Sequence, residues 1–536
     1  MTRRSVVAVG VGLVLAASSP SGQTSIRKQA DDDASSQAMS QAELDELGDP
    51  MFLLVLKDHA QEVGLDAIEP FILGQSGKRN LFVVDERLQD PATTGSRRAV
   101  LTYTGTTGNV RLDPNIALSV TFGNQGIAAG FIEAWGWDNS RSRYNYYKLD
   151  GTPATWKFRG SSDGADQLTG PHRAGTCMRC HINGAPVMKE LPIPWNNWHS
   201  FKNLVTYLTP TGSNHWKVAE SSRFADLRGA ELLETNFILP SIRQFNGRRV
   251  AAGHRATATT AQEVIDGRRM LRSVFETTEY NIGSAQQSSG LHPIPKPGTG
   301  PAQDVVASDT FFLNANLFAG GGIPQYEGLG IPEAREFGSL LRLKPAEYRT
   351  VVNKFKTTLG TTPGDTNFGW FVPEPSHVDS QMVDLLIRRG VITREFAASA
   401  LAVDLETPVF SKARAGLLAA VPDQFRFQPL NPGDVPAAHP DELTRTVIER
   451  LTAMKPAPGT PAADLLALLQ NPAPIDAVRS RVTAYLNRVR TRLSGAQRQA
   501  EIDRLYGLVF QRRRDAVAEI PAIVESPLLF PGGAGQ

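Results

Sequence analysis

A chain of 536 residues places both of its cysteines in one short segment: Cys177 and Cys180 are separated by Met178 and Arg179, and His181 follows at once. This constrains the fold in two ways. No thiol is left over to staple distant segments, so the remaining architecture must rest on its apolar core. Two thiols three positions apart with an imidazole beside them also form a compact donor set, able to hold one prosthetic group from five residues.

Three kinds of chemistry use a C-x-x-C pair. A structural zinc site needs four nitrogen or sulfur ligands, so it would have to recruit histidines such as His172 or His199. A redox-active dithiol would put its first cysteine at a helix N-terminus after a strand, and the adjacent histidine would then be incidental. Covalent haem attachment uses all three side chains, because the thiols add to two vinyl groups and the histidine takes the iron from below. The expectation is one haem c bound by Cys177, Cys180 and His181, with His181 as the proximal iron ligand.

The N-terminus fits a compartment in which such attachment occurs. Arg3 and Arg4 precede a twelve-residue apolar run over 6–17, and small residues follow at Ser18 and Ser19. Residues 1–19 therefore read as a cleaved export signal, and the protein is expected to be periplasmic or secreted. The run is short for a bilayer span and no later stretch approaches twenty apolar residues, so no membrane span is expected after cleavage. Formal net charge is +2, and loss of Arg3 and Arg4 with the signal brings it to zero. That balance gives no reason to expect nucleic acid as a partner. Arg512, Arg513 and Arg514 lie in a helical pattern and read as a solvated face.

Residues 20–42 are polar, low in aromatics and include Asp31, Asp32 and Asp33, the composition of a disordered tether. A helix is expected to start at Asp49 as N-cap, with Pro50 at its first position. The period then changes. Residues 99–103, 116–122, 131–137, 144–149 and 155–158 are short runs of β-branched and aromatic residues, and Asp138, Asn139 and Ser140 form a hairpin turn between two of them. Phe131, Trp135 and Trp137 share one face, as do Trp156 and Phe158. Beyond His199 the spacing becomes helical over 261–275, 332–343, 345–359, 378–389, 393–403, 440–454 and 475–510, with Gly390 as a helix-ending residue. Pro-rich stretches at 292–301, 429–440 and 456–474 read as boundaries or linkers. The fold class is α+β: an aromatic-rich antiparallel β segment ends in the haem motif and a mainly α-helical region follows. The divisions expected are a β-rich haem-binding domain over 43–200, a mainly helical domain over 201–430 and a C-terminal helical region over 431–536.

What lies across the iron from His181 decides the chemistry. Methionine or histidine there closes the iron for electron transfer, and an open position admits a small ligand. Met188, His199, His215, His254, Met270, His292, His377 and Met382 are the candidates, although Met270 and Met382 sit in amphipathic patterns where core packing is the default. His181 needs an acceptor for its second ring nitrogen, and Pro186, Pro192 or Pro194 would position a carbonyl for it. Arg173 and Arg179 flank the motif as partners for haem propionates. Trp195, Trp198 and His199 offer a wall for the pocket. Gly160 to Gly164 matches G-x-S-x-G without the strand-turn-helix setting of a hydrolase nucleophile, and reads as a polar turn. Gly320, Gly321 and Gly322 lack the Lys-Ser/Thr of a phosphate loop.

The five-residue motif resembles the attachment site of c-type cytochromes. Its position after aromatic strands is similar to the β-rich cytochrome c′-beta family and its hydroxylamine-oxidising relatives, over 99–188. That resemblance implies a five-coordinate iron with a pocket for a small ligand, and it draws attention to Lys148 and Lys157, since a strand lysine is cross-linked to haem in the oxidising relatives. The expected function is that of an exported mono-haem c-type cytochrome domain protein with electron transfer activity and a redox partner protein. The alternative is a haem-dependent oxidoreductase, or a protein binding nitric oxide, oxygen or peroxide at an open sixth position. Enzymatic activity is left undecided by the residues.

Overall fold

Alternating residues along the aromatic runs build one eight-stranded sheet. The structure, a computed structural model, describes residues 26–29, 36–85, 97–123, 126–151, 153–162, 177, 181, 184–186, 228, 230–284, 305–306, 309–320, 327–344, 346–347, 350–351, 354 and 371–519. The sheet comprises β1 (Arg27–Gln29), β2 (Ser36–Ala38), β3 (Lys78–Asp85), β4 (Arg97–Thr104), β5 (Ile116–Gly123), β6 (Gly126–Asp138), β7 (Arg143–Asp150) and β8 (Thr155–Ser161). Their order across the sheet is β2-β1-β8-β7-β6-β5-β4-β3. Neighbours run antiparallel except β1 and β8, which pair in parallel with Arg27 beside Lys157. The α+β expectation holds, and each of the five expected runs lies in a strand.

The two-residue period divides the sheet into two buried faces. On one, Leu101, Tyr103, Leu118, Val120, Ile132, Tyr147, Leu149 and Trp156 pack against Met51, Val55, Leu56, Ile68 and Ile72 from the helical turns of 50–73. On the other, Phe82, Ala117, Trp137, Tyr144 and Tyr146 pack with Leu233, Phe237, Leu239, Ile242 and Phe245. Asp138 makes the expected turn, its carboxylate accepting from the amides of Ser140 and Arg141, each at 3.0 Å. Asp49 caps its helix as expected, accepting from the Phe52 amide at 3.1 Å. Because Asp49 is buried beneath the sheet, it also receives the Asn145 amide at 2.8 Å and the Tyr147 hydroxyl at 2.5 Å.

The tether expected over 20–42 is corrected within its described part, which supplies β1 and β2 to the edge of the sheet. The physical reason is local. Ile26 and Met39 are buried in the core, and Ser40 with Glu43 forms a reciprocal capping box that also engages Lys28 of β1. Two apolar anchors suffice where the remaining groups satisfy one another. The export-signal expectation, residues 1–19, lies outside the described residues.

After residue 230 a continuous helical stretch ends in α1 (Leu239–Ala252), and the other main helices are α2 (His377–Arg388), α3 (Arg394–Leu401), α4 (Glu442–Ala453), α5 (Pro461–Leu469), α6 (Pro474–Ser494) and α7 (Arg498–Glu519). Ser376, Thr393, Asp441 and Thr460 cap α2 to α5 with their side chains. Gly390 ends α2 with φ +74°. The single helix expected over 475–510 is two, broken at Gly495, and the expected linker over 456–474 contains α5. One apolar core runs from Val250 to Phe510. It joins residues on both sides of 430, so the boundary expected there does not divide the packing. Arg512 departs from the solvated face expected for it: it is buried and donates to the Glu406 carbonyl at 3.2 Å.

Candidate functional site

Cys177 and His181 are one helical turn apart. The His181 amide donates to the Cys177 carbonyl at 2.9 Å, the spacing that brings side chains four apart to one side of the backbone. The chain then reverses sharply, with the Gly184 amide on the His181 carbonyl at 2.8 Å and φ +67° at Gly184. A Cβ at Gly184 would lie 2.8 Å from the Ser162 carbonyl oxygen, so both the backbone conformation and the space demand glycine.

That reversal returns a carbonyl to the imidazole. His181 Nδ1 is 2.8 Å from the Ala185 oxygen, and His181 is buried, at 8% exposure. A carbonyl can only accept. Nδ1 therefore carries the hydrogen, and in the neutral ring Nε2 has the ligating lone pair. Of the three prolines expected to position such a carbonyl, the one adjacent to Ala185 is Pro186, which narrows the backbone range of the residue before it. Pro192 and Pro194 lie outside the described residues.

The two described residues of the motif, Cys177 and His181, rest on the aromatic face of the sheet. Cys177 is half-buried and packs against the cluster that holds Tyr146, Tyr144 and Trp137. The Tyr146 ring centroid is 4.9 Å from that of His181, at 43°. Its hydroxyl donates toward the Gly184 oxygen at 2.9 Å and the Ala185 oxygen at 3.2 Å. Burial pushes the Tyr146 phenol well above its ordinary range, so the group remains a donor. Ser162 ties the approach to the motif onto β7, exchanging hydrogen bonds with the backbone of Tyr144 at 2.9 Å each way. Ser161 donates to the Asn145 side chain at 2.7 Å. Both serines of the G-x-S-x-G match are thus bonded within the sheet.

The remaining candidates separate by position. Met270 and Met382 are buried in the helical core, in a cluster distinct from the one that Cys177 joins. His254 packs edge-on to Phe427, with ring centroids 5.5 Å apart, and burial lowers its pKa. His377 places Nε2 2.8 Å from a Glu234 carboxylate oxygen, next to Val378 of the motif's own cluster. Lys148 and Lys157 both pair with Asp150, at 3.1 and 2.6 Å. Cys180, Arg173, Arg179, Met188, Trp195, Trp198, His199, His215 and His292 lie outside the described residues. So does most of the Gly320 to Gly322 run.

Sequence reading passed over Tyr146, Gly184 and Ala185. The signal for Tyr146 was its two-residue spacing from Tyr144, opposite Trp135 and Trp137 in the hairpin. Farther along this face, Trp137 lines a cleft of about 580 Å³ together with Arg111, Asp113, Arg243 and Gln244, within the size range of small-molecule sites. Among the described residues, no group of three or more His, Cys, Asp or Glu side chains could hold a metal ion, and no helix is long and apolar enough to cross a membrane.

Comparison with protein-family models, curated proteins and solved structures finds no match to this chain.

Proposed function

We propose that this is an exported mono-haem c-type protein that transfers electrons to or from a redox partner protein. Cys177 and Cys180 would hold the porphyrin through thioether bonds, and His181 would bind the iron through Nε2. Bound there, haem supplies a one-electron couple at its iron. The observation that carries the reading is the Nδ1 contact of His181 with the Ala185 carbonyl. A histidine used as a metal ligand needs an acceptor behind it to fix tautomer and orientation, and this one has it beside the only cysteine pair in the chain. The chain's own contribution is orientation and exclusion of water. Tyr146 and the buried Ala185 close the rear of the imidazole, and Trp135 and Phe237, with ring centroids 5.1 Å apart, add apolar cover nearby.

Denaturing electrophoresis with haem staining tests the cofactor. The wild-type chain should retain haem after denaturation, and the Cys177→Ser, Cys180→Ser double variant should lose it. A wild-type chain without stain refutes the proposal.

A second reading has its own support. Met270 and Met382 serve the helical core, which withdraws two of the eight candidates for the sixth ligand. The resemblance to the β-rich cytochrome c′-beta family implies a position open to nitric oxide, oxygen or peroxide. The visible spectrum with and without carbon monoxide separates the readings: a low-spin spectrum that ignores the gas supports electron transfer alone, and a high-spin iron that binds it supports the open site.

A further inference from the structure

We propose that Tyr146 is a positioning residue that sets the electron-donating strength of His181 by sharing its hydrogen-bond acceptor. The inference rests on His181 being an iron ligand and goes beyond it, since nothing in the motif itself identifies Tyr146.

The geometry is specific. The Ala185 oxygen has two lone pairs and, among the described residues, two donors: His181 Nδ1 at 2.8 Å and the Tyr146 hydroxyl at 3.2 Å. The same hydroxyl proton is drawn to the Gly184 oxygen at 2.9 Å, so Tyr146 spans the two consecutive carbonyls that follow the glycine reversal. Tyr146 is 1% exposed and lies in the middle of β7, with Trp135 as its cross-strand partner. The sheet therefore fixes the phenol, and the phenol fixes the turn. A carbonyl that already accepts one hydrogen bond is a weaker acceptor for a second. With Tyr146 in place, Nδ1–H is less polarised, the imidazole is less anionic, and ferric iron is stabilised less than it would be with an unshared acceptor.

Tyr146→Phe keeps the ring and removes only the hydroxyl. Among the described residues the Ala185 carbonyl then accepts from His181 alone, so the reduction potential of the holoprotein should fall. The expected shift corresponds to about tenfold in the oxidised-to-reduced equilibrium, or 59 mV for one electron. Tyr144→Phe is the control. Tyr144 is equally buried on the same face and donates to the Ser241 carbonyl at 3.0 Å, away from the turn. It should lower thermal stability to a similar degree and leave the potential at the wild-type value. If Tyr146→Phe does not fold, a difluorotyrosine incorporated at position 146 decides the question. Its more acidic phenol donates more strongly to the carbonyl, so the potential should rise. An unchanged potential in whichever of these variants folds, or a shift opposite in sign to that stated, overturns the role of Tyr146 and leaves haem attachment standing. Equal shifts in the Tyr144 and Tyr146 variants also overturn it, by assigning the effect to packing. A wild-type protein without covalent haem overturns both the cofactor reading and this inference.

Discussion

His181 and Tyr146 donate to one carbonyl oxygen, that of Ala185, from elements that lie 35 positions apart in the chain. The motif segment and the sheet thus meet through a shared polar atom as well as through apolar contact. Disturbing either side should be felt at the other.

Gly184→Ala tests the reversal that makes this meeting possible. The left-handed φ costs an alanine about 1–3 kcal/mol, and the new methyl would press on the Ser162 carbonyl at 2.8 Å. A lower Tm and a reduced yield of haem-bearing protein are expected. Wild-type values for both would show that the reversal does not support the site.

Removal of one thiol should be partial in effect. Cys177→Ser leaves Cys180 to form a single thioether, so the denatured chain should keep its haem stain. The α band of its pyridine haemochrome should move to longer wavelength, because one vinyl group stays conjugated with the ring. An unchanged band position would exclude Cys177 as an attachment point.

Met270→Leu and Met382→Leu should leave the visible spectrum as in wild type. Both methionines are buried in the helical core, away from the cluster of Cys177, and a swap of similar volume costs less than about 1.5 kcal/mol. A low-spin spectrum that becomes high-spin in either variant would identify an iron ligand and contradict this placement.

Asp49 should give the fold a pH dependence. Burial raises its pKa above the ordinary carboxylate range, and the hydrogen bonds from Tyr147, Asn145 and Phe52 offset this only in part. Between the unfolded and folded values the folded state holds a proton that the unfolded state has released, so stability falls as pH rises through that window. Asp49→Asn keeps an acceptor for the Phe52 amide and removes the titration. Denaturant melts from about pH 4 to about pH 7 should show a flatter profile in the variant. Parallel profiles would place the pH dependence elsewhere.

The parts of the fold most legible in the sequence are those where one period repeats long enough to exclude the other. The hairpin of β6 and β7 announces itself through the aromatic runs 131–137 and 144–149 and Asp138 at the turn between them. The helices α2, α3 and α4 do the same through the helical spacing of apolar residues over 378–389, 393–403 and 440–454. β1 and β2 were hidden because three-residue strands carry no readable period, and their anchors are single residues, Ile26 and Met39. Arg512 reads as surface from its chemistry, and only tertiary packing buries it. In the site, the donor set was explicit in five residues. The acceptor behind His181 was not, because a backbone carbonyl has no side-chain signature. Gly184, Ala185 and Pro186 supply the only local hint: a residue free to reverse, followed by one held in place.

The apolar cluster shared by Cys177, the sheet and residues 233–245 has a temporal meaning. In a chain that emerges N-terminus first, the strands and the cysteine pair precede by roughly fifty residues the helix that covers that face. Haem attachment at Cys177, as proposed, would fall in an interval in which that helix does not yet cover the aromatic face of the sheet.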